Sequence, residues 1–336
     1  MQFKMNKTIQ IIAETAFSHE GDFDFLLNQI HLAKKGKVDY VKFQILLDID
    51  EYFIENYPNK EKIKNWTFSK EQWIKALKLA KLLKMKTIVL PLETTSACFC
   101  KENNHLIDAV EIHSVCLNEI EMLSTFYQTN QLVILGIGGH TPQEIEFTLR
   151  YLNMPKEQTV LMFGYQSFPT DVSQLNLGKI KHFNEIFNTE IGYADHTSWK
   201  SSEFLHLNKY ANILGASYFE KHIVVEKGDQ RIDFESAINH YDFVLMRKEL
   251  EELQNILGTY NSFSLNEKEI TYKNRGKQIV ASKNIKKGQI LSKELLCLKI
   301  SNEIGDFEMI DLNILIGKTT TQNIKKHQVV RFQYIS

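Results

Sequence analysis

Proline, glycine and cysteine are all scarce, at 5, 15 and 4 of 336 residues. Usual shares are about 5% proline and 7% glycine, so this shortage excludes long flexible or proline-rich linkers. The cysteines, Cys98, Cys100, Cys116 and Cys297, show neither zinc-site spacing nor the density of a disulfide scaffold. They read as buried or incidental thiols in a reducing compartment. No apolar run nears the roughly 18 residues of a membrane span, and Glu14 arrives too early for a secretory apolar core. Neither charge sign dominates: 40 Lys+Arg face 41 Asp+Glu, leaving a net charge of −1. The electrostatic footprint of a general nucleic-acid binder is therefore missing. The expectation is a cytoplasmic protein with neither nucleic-acid nor membrane partners. Arginine is rare, 5 against 35 lysines, so a lysine where arginine is more usual carries little weight.

What is present is an alternation of short β-rich runs with amphipathic stretches. The runs are Thr8–Glu14, Tyr40–Gln44, Thr87–Pro91, Ala109–His113, Leu132–Gly136, Thr159–Phe163, Glu190–Tyr193 and Ser217–Val225. Between them, Phe23, Leu26, Leu27, Ile30 and Ala33 repeat at helical spacing, as do Trp73, Ala76, Leu77, Ala80 and Leu83. Thr141 before Pro142, with Glu144 on the first turn, marks a helix start. Eight buried strands, each followed by a helix, predict an α/β fold of the (β/α)8 TIM-barrel type over 1–258. A doubly wound open sheet is the alternative, weakened because no G-x-G-x-x-G follows the first run. Residues 259–274 are polar and irregular and read as a linker, and 275–336 as a small β-rich domain. That domain carries two Asn-Ile-Lys-Lys segments, 284–287 and 323–326, a faint internal repeat.

In such barrels the chemistry sits at the carboxyl ends of the strands. This directs attention to Glu14, Ser18-His19-Glu20-Gly21, Lys42, Gln44, Glu111, His113, Ser114, Gly136–Gly139, Gln166, Thr170, Asp171, Asp195-His196-Thr197 and Glu220-Lys221-His222. Histidines ending adjacent strands, His196 and His222, can bind one divalent ion, and imidazole with oxygen ligands suits Mn²⁺, Zn²⁺ or Fe²⁺. Glu14 ends an apolar strand and is either a general base, a binder of substrate hydroxyls or a structural partner of Lys42. Lys42 offers a point charge to an anion or closes that same ion pair. Asp233 either caps a substrate hydroxyl or is solvated. Gly136-Ile137-Gly138-Gly139 resembles a backbone anion nest.

Several motifs, in order, resemble those of the sialic acid (nonulosonate) synthases. They are Ile12-Ala13-Glu14; Ser18-His19-Glu20-Gly21-Asp22; Val41-Lys42-Phe43-Gln44; Phe168-Pro169-Thr170 with Asn176-Leu177; Gly192-Tyr193-Ala194-Asp195-His196-Thr197; and Glu220-Lys221-His222. The final segment, with Asn284-Ile285-Lys286-Lys287-Gly288, looks like the antifreeze-like SAF (β-clip) domain of those enzymes. The resemblance implies a divalent-metal-dependent condensation of phosphoenolpyruvate with an open-chain N-acyl hexosamine. Carbon 3 of the donor attacks the sugar aldehyde, water adds to the resulting cation, and phosphate leaves by carbon–oxygen cleavage. It implies metal binding by His196 and His222, with Mn²⁺ foremost and Mg²⁺ or Co²⁺ as alternatives. Catalytic roles fall to Glu14, Lys42 and Asp195, and substrate contacts to Lys42, Gln44, Ser114, Gln166, Phe168, Glu220 and Asp233. A domain-swapped homodimer, with the small domain of one chain over the barrel mouth of the other, is also implied.

The departures cluster around one ligand. Where the family pattern has hydroxyls or a phosphate-binding lysine, this chain has Leu90, Glu111, Gly136 and Ile137; Ala194 replaces a serine and Ile300 an arginine. Two further readings follow: a metal-dependent sugar-modifying enzyme that does not use phosphoenolpyruvate, and a catalytically silent sugar-binding paralogue.

Overall fold

The computed structural model describes residues 8–167, 169–201, 203–258 and 263–336. Within it the chain divides into two compact units, Met1–Tyr260 and Asn261–Ser336.

In the first unit eight parallel strands follow one another around a closed barrel. They are β1 (Gln10–Glu14), β2 (Tyr40–Ile45), β3 (Lys86–Pro91), β4 (Ala109–Ile112), β5 (Leu132–Gly136), β6 (Thr159–Phe163), β7 (Glu190–Ala194) and β8 (Ala216–Ile223). Each pairs with the next in sequence, and β8 returns to β1, so no edge is left exposed. A two-residue strand, β9 (Ala237–Ile238), extends β8. The barrel fold expected from the alternation is therefore present.

Residues of alternating parity face opposite sides of each strand. Ile12, Tyr40, Ile88, Ala109, Ile134, Val160, Met162 and Ala194 fill the barrel interior. Their neighbours of the other parity, such as Val41, Phe43, Val89, Val110 and Ile112, join the larger core with the surrounding helices. Those helices start where their capping chemistry dictates. Asp22 accepts the Phe25 amide before Phe23–Lys35, and Ser69 and Gln72 close a reciprocal cap before Lys70–Leu82. Thr141 and Glu144 do the same before Pro142–Leu152.

The second unit corrects one expectation. The polar stretch read as irregular linker carries a helix, Glu267–Lys273, started by a reciprocal cap between Asn266 and Glu269. Residues 259–262 of that stretch lie outside the described residues. Beyond it, β10 (Gln278–Ala281) and β11 (Leu296–Lys299) pair antiparallel. The two Asn-Ile-Lys-Lys segments meet. Ile285 and Ile324 exchange both backbone hydrogen bonds at 2.8 Å. The Lys287 amide donates to Asn323 Oδ1 and the Lys326 amide to Asn284 Oδ1, each at 2.8 Å. The repeat is thus a reciprocal pair, with both isoleucines buried in the small core. All four cysteines are free. Among the described residues no helix is long and apolar enough to cross a membrane.

A candidate metal centre and an acidic lysine pocket

Strand register decides which side chains meet at the carboxyl end of the barrel. Glu14 is the lateral partner of His222 on β8 and of Lys42 on β2, so its carboxylate stands between an imidazole and an ammonium. Glu14 Oε2 lies 3.3 Å from His222 Nε2, and Glu14 Oε1 accepts from Gln44 Nε2 at 2.8 Å. His196, just beyond β7, sets its ring edge-on to that of His222, with centroids 5.1 Å apart. Ligand atoms of Glu14, His196 and His222 all lie within 4.8 Å of one another. The Nδ1 atoms of both histidines are buried with no hydrogen-bond partner in the structure. Two imidazoles and one carboxylate form a donor set that fits a borderline divalent cation. Glu14 therefore joins a metal-sized cluster that the sequence had confined to His196 and His222.

Beside this cluster Lys42 is enclosed by carboxylates. Its Nζ lies 2.8 Å from Glu111 Oε2, 3.0 Å from Glu220 Oε2 and 3.5 Å from Glu14 Oε1. All four side chains are 4% exposed or less. One ammonium cannot offset three carboxylates in a buried site, so protons redistribute among them. Burial pushes Glu220 well above the usual carboxylate range, and Glu14 and Glu111 add to this against the pull of Lys42. Burial likewise raises Glu111, which Lys42 opposes. Glu14 goes the other way: burial works against its charge, but Lys42 and the His222 hydrogen bond outweigh it and hold the carboxyl well below its usual range. Lys42 stays an ammonium because Glu111, Glu14 and Glu220 overcome its burial.

The two histidines differ in the same way. Burial and the neighbouring His222 hold His196 neutral, its ionisation well below the imidazole range. His222 is raised, because its contact with Glu14 outweighs burial. Cation binding at this cluster would compete with that proton.

Together these side chains line a cavity of about 330 Å³ with His113, Ser114, Gly136, Gly138, Met162, Gly164, Tyr165 and Gln166. Of the residues expected at the site, Glu14, Lys42, Gln44, Ser114, Gln166, His196, Glu220 and His222 all reach it. Asp233 is tied to it at one remove, accepting from Gln166 Nε2 at 2.9 Å. Phe168 lies outside the described residues. The loop carrying Thr170 is fastened to the metal-side strand, for the Thr170 amide donates to the His196 carbonyl at 3.0 Å.

Asp195, Lys221, His19 and the glycine run sit otherwise than the strand-end rule implied. Asp195, read as catalytic, faces away from the cavity. It accepts from the Thr197 amide and hydroxyl at 2.9 and 2.6 Å and pairs with Lys221 Nζ at 3.0 Å. Asp195 follows directly on β7, and the alternation of that strand carries on for two residues, so that Ala194 and His196 line the cavity and Asp195 does not. Lys221 is outward for the same cause and supplies no charge to the cavity. His19 does not line this cavity. It is fully buried, accepts the Gly21 amide at Nδ1 and lies against Phe68 and Trp73. The glycine run has less to offer an anion than its composition implied, since the Ile137 amide is spent on the Met162 carbonyl. Its glycines open space instead: a Cβ on Gly138 would fall 2.0 Å from the Gly164 carbonyl oxygen.

His113, Met162, Gly164 and Tyr165 also line the cavity; Gly164 and Tyr165 stand where the family pattern has His-Cys-Thr after strand six, and Met162 carries no sequence signal of its own. Parity was the signal for His113, which shares the inward face of its strand with Glu111. His113 is also kept neutral, its ionisation lowered to about 4 by burial and then by Lys42.

Known proteins agree with this architecture. An uncharacterized protein of Methanocaldococcus jannaschii is 28% identical over 296 residues, covering 86% of this chain and 84% of its own. The N,N'-diacetyllegionaminic acid synthase of Campylobacter jejuni is 24% identical, covering 97% of this chain and 100% of its own. The solved N-acetylneuraminic acid (sialic acid) synthetase of Leptospira borgpetersenii matches with a TM-score of 0.71 at 25% identity, over 80% of this chain and 92% of its own. The SAF domain profile matches residues 277–335. With the NeuB family profile matching residues 29–262, from the first barrel helix to the last, the chain belongs to the NeuB family.

Proposed function

We propose that this protein is a nonulosonate synthase, which joins phosphoenolpyruvate to an open-chain N-acyl hexosamine and releases phosphate. One observation carries the reading: the Glu14–His196–His222 cluster and the Lys42 ammonium face the same cavity, side by side. A carbonyl activator and an anion-binding charge are what such a condensation needs. Relatives named legionaminic and pseudaminic acid synthases support the substrate class.

A divalent ion, Mn²⁺ before Mg²⁺ or Co²⁺, held by His196, His222 and Glu14 would supply Lewis-acid polarisation of the sugar aldehyde. The chain's own groups do the rest. Lys42 meets the carboxylate of the donor, and Gln44 and Gln166 offer amides to sugar hydroxyls. Carbon 3 of the donor bonds to the aldehyde carbon, whose oxygen takes up a proton. Water adds at carbon 2, and phosphate departs with its bridging oxygen. Of the carboxylates around Lys42, Glu220, raised by burial, is the readier proton carrier, and Glu14, held low by Lys42 against burial, is the readier anionic ligand for the ion.

Glu111 favours a second reading, a metal-dependent sugar enzyme that does not use phosphoenolpyruvate, because its carboxylate occupies Lys42 at 2.8 Å. Phosphate release decides between them. Purified protein with Mn²⁺, phosphoenolpyruvate and a panel of mono- and diacetamido hexoses should release phosphate with at least one sugar, and not after chelation or with His222→Ala. No release across the panel, with Mn²⁺ shown to be bound, would leave the second reading standing.

A further inference from the structure

Between β8 and β9 the chain has one short helical turn, Phe234–Ser236, so side-chain contacts must set the path of this loop. Two consecutive residues grip the turn after β1. Arg231 Nη1 donates to the carbonyls of Ser18 and His19, each at 3.3 Å, and its Cζ stands 3.7 Å from the centroid of the Phe25 ring. Asp229 and Asp22 lie 3.5 and 4.0 Å from the same guanidinium. The Ile232 amide then donates to Glu20 Oε1 at 3.0 Å. The chain uses 5 arginines against 35 lysines. A lysine's compact charge does not reproduce a planar fork that bonds two carbonyls and stacks on a ring.

Two residues beyond Arg231, Asp233 holds φ +62°, in the left-handed region. Glu20, on the facing turn, holds φ +47°. Such conformations persist where their surroundings fix them, and they gather at ligand sites. Asp233 Oδ1 accepts from Gln166 Nε2 at 2.9 Å, and Gln166 lines the cavity. A carboxylate oxygen that accepts here takes the amino end of the amide. The carbonyl oxygen and second N–H of Gln166 are then what it can offer a hydroxyl.

We propose that Arg231 is a positioning residue for the sugar: by clamping the β8–β9 loop to the turn after β1, it sets Asp233, and through Asp233 the Gln166 amide, at the cavity wall. The inference rests on the proposed function only in taking the ligand of that pair to be an acylamino sugar. Lys42 is held by Glu111 and Glu220, and His222 by Glu14, so losing the clamp leaves the anion and metal sides in place.

The test is calorimetric titration of mono- and diacetamido hexoses into the Mn²⁺-loaded full chain, beside KM values for the same sugars and for phosphoenolpyruvate from phosphate release. Arg231→Met should weaken the sugar at least about tenfold in affinity and in KM, the worth of one charge-assisted hydrogen bond. Arg231→Lys, a milder change that keeps the charge, should weaken it by a smaller factor. In both, Mn²⁺ affinity and the KM for phosphoenolpyruvate should stay within about twofold of wild type, as expected for sites without shared partners. Arg231→Met/Asp233→Asn should bind the sugar no worse than Asp233→Asn alone, since the first residue acts through the second.

Three results overturn the proposal: equal losses for sugar, Mn²⁺ and phosphoenolpyruvate; wild-type sugar affinity in Arg231→Met, or in Arg231→Lys if only that folds; and additive losses in the double variant. Sugar binding that depends on Arg231, without phosphate release by any form, sinks the proposed function and leaves the clamp. Phosphate release with a sugar KM unmoved by Arg231→Met sinks the clamp and leaves the function. Neither binding nor release by the wild type sinks both.

Discussion

Lys221 and Asp195 form an ion pair with no solvent exposure on either side chain, Nζ to Oδ2 at 3.0 Å. Each is the sequence neighbour of a histidine of the candidate metal centre, His222 and His196. Lys221 Nζ also donates to the carbonyls of Asp195 and Thr197 at 3.2 and 3.0 Å. The pair therefore rivets the ends of β7 and β8 together behind the two imidazoles and sets the distance between them.

Breaking a buried pair from one side leaves an uncompensated charge, at a cost of about 3–5 kcal/mol. Lys221→Met should lower the unfolding free energy by that order. It should also weaken Mn²⁺ binding by about tenfold or more, as loss of a supporting contact does at metal sites. The double variant Lys221→Met/Asp195→Leu removes both charges and should recover stability but not metal affinity. Equal recovery of both would mean that the pair only holds the fold.

If Glu14, His196 and His222 share one ion, each of Glu14→Gln, His196→Ala and His222→Ala should abolish stoichiometric Co²⁺ binding followed by its visible absorption. Glu220→Gln should retain it, since Glu220 faces Lys42 rather than the cluster. Retained stoichiometry in the Glu14 variant would return that carboxylate to a role at the substrate.

Gly164 carries φ +146°, and a Cβ there would lie 2.2 Å from the Ala194 carbonyl oxygen. Backbone cannot yield as a flexible side chain does. Gly164→Ala should cost about 3 kcal/mol or more and shift the β6–β7 rim. Gly139→Ala, with nothing within 4 Å of its Cβ, meets only its positive φ and should cost about 1 kcal/mol. Chemical denaturation measures both, and equal losses would refute the crowding argument.

His19 ionises at about 4 in the folded chain, chiefly because it is buried and then because Arg231 is near, against an ordinary 6.5. The unfolded chain therefore binds the extra proton first. This contribution to stability is complete above pH 6.5 and is lost as pH falls towards 4, by roughly 3 kcal/mol in all. His19→Phe should flatten that part of the stability profile while costing some stability at neutral pH, where the Gly21 amide loses its acceptor. An unchanged slope would show that other groups drive the acid loss.

Much of this was legible in the residues. The eight β-rich runs match β1 to β8 to within about two residues at each end, because buried parallel strands need continuous apolar text between turn signals. Helix starts were legible at Thr141–Glu144, where the cap is local chemistry. The polar stretch 259–274 misled, since a short capped helix with no buried residue leaves no apolar period to read. At the site, composition brought Asp195 and Lys221 forward with their neighbours, although parity alone would have turned both outward.

Strand periodicity and capping act over a few neighbours, and they alone settled the barrel strands, their order and the inward residues of each. Closure of the barrel decided the rest. Only the β8–β1–β2 register sets Glu14 between His222 and Lys42, and only the curvature of the wall brings Glu111 to the same ammonium as Glu220, 109 positions later in the chain. Charges so far apart in sequence have no local pattern linking them. Their protonation follows from the burial and mutual distances that the tertiary structure imposes.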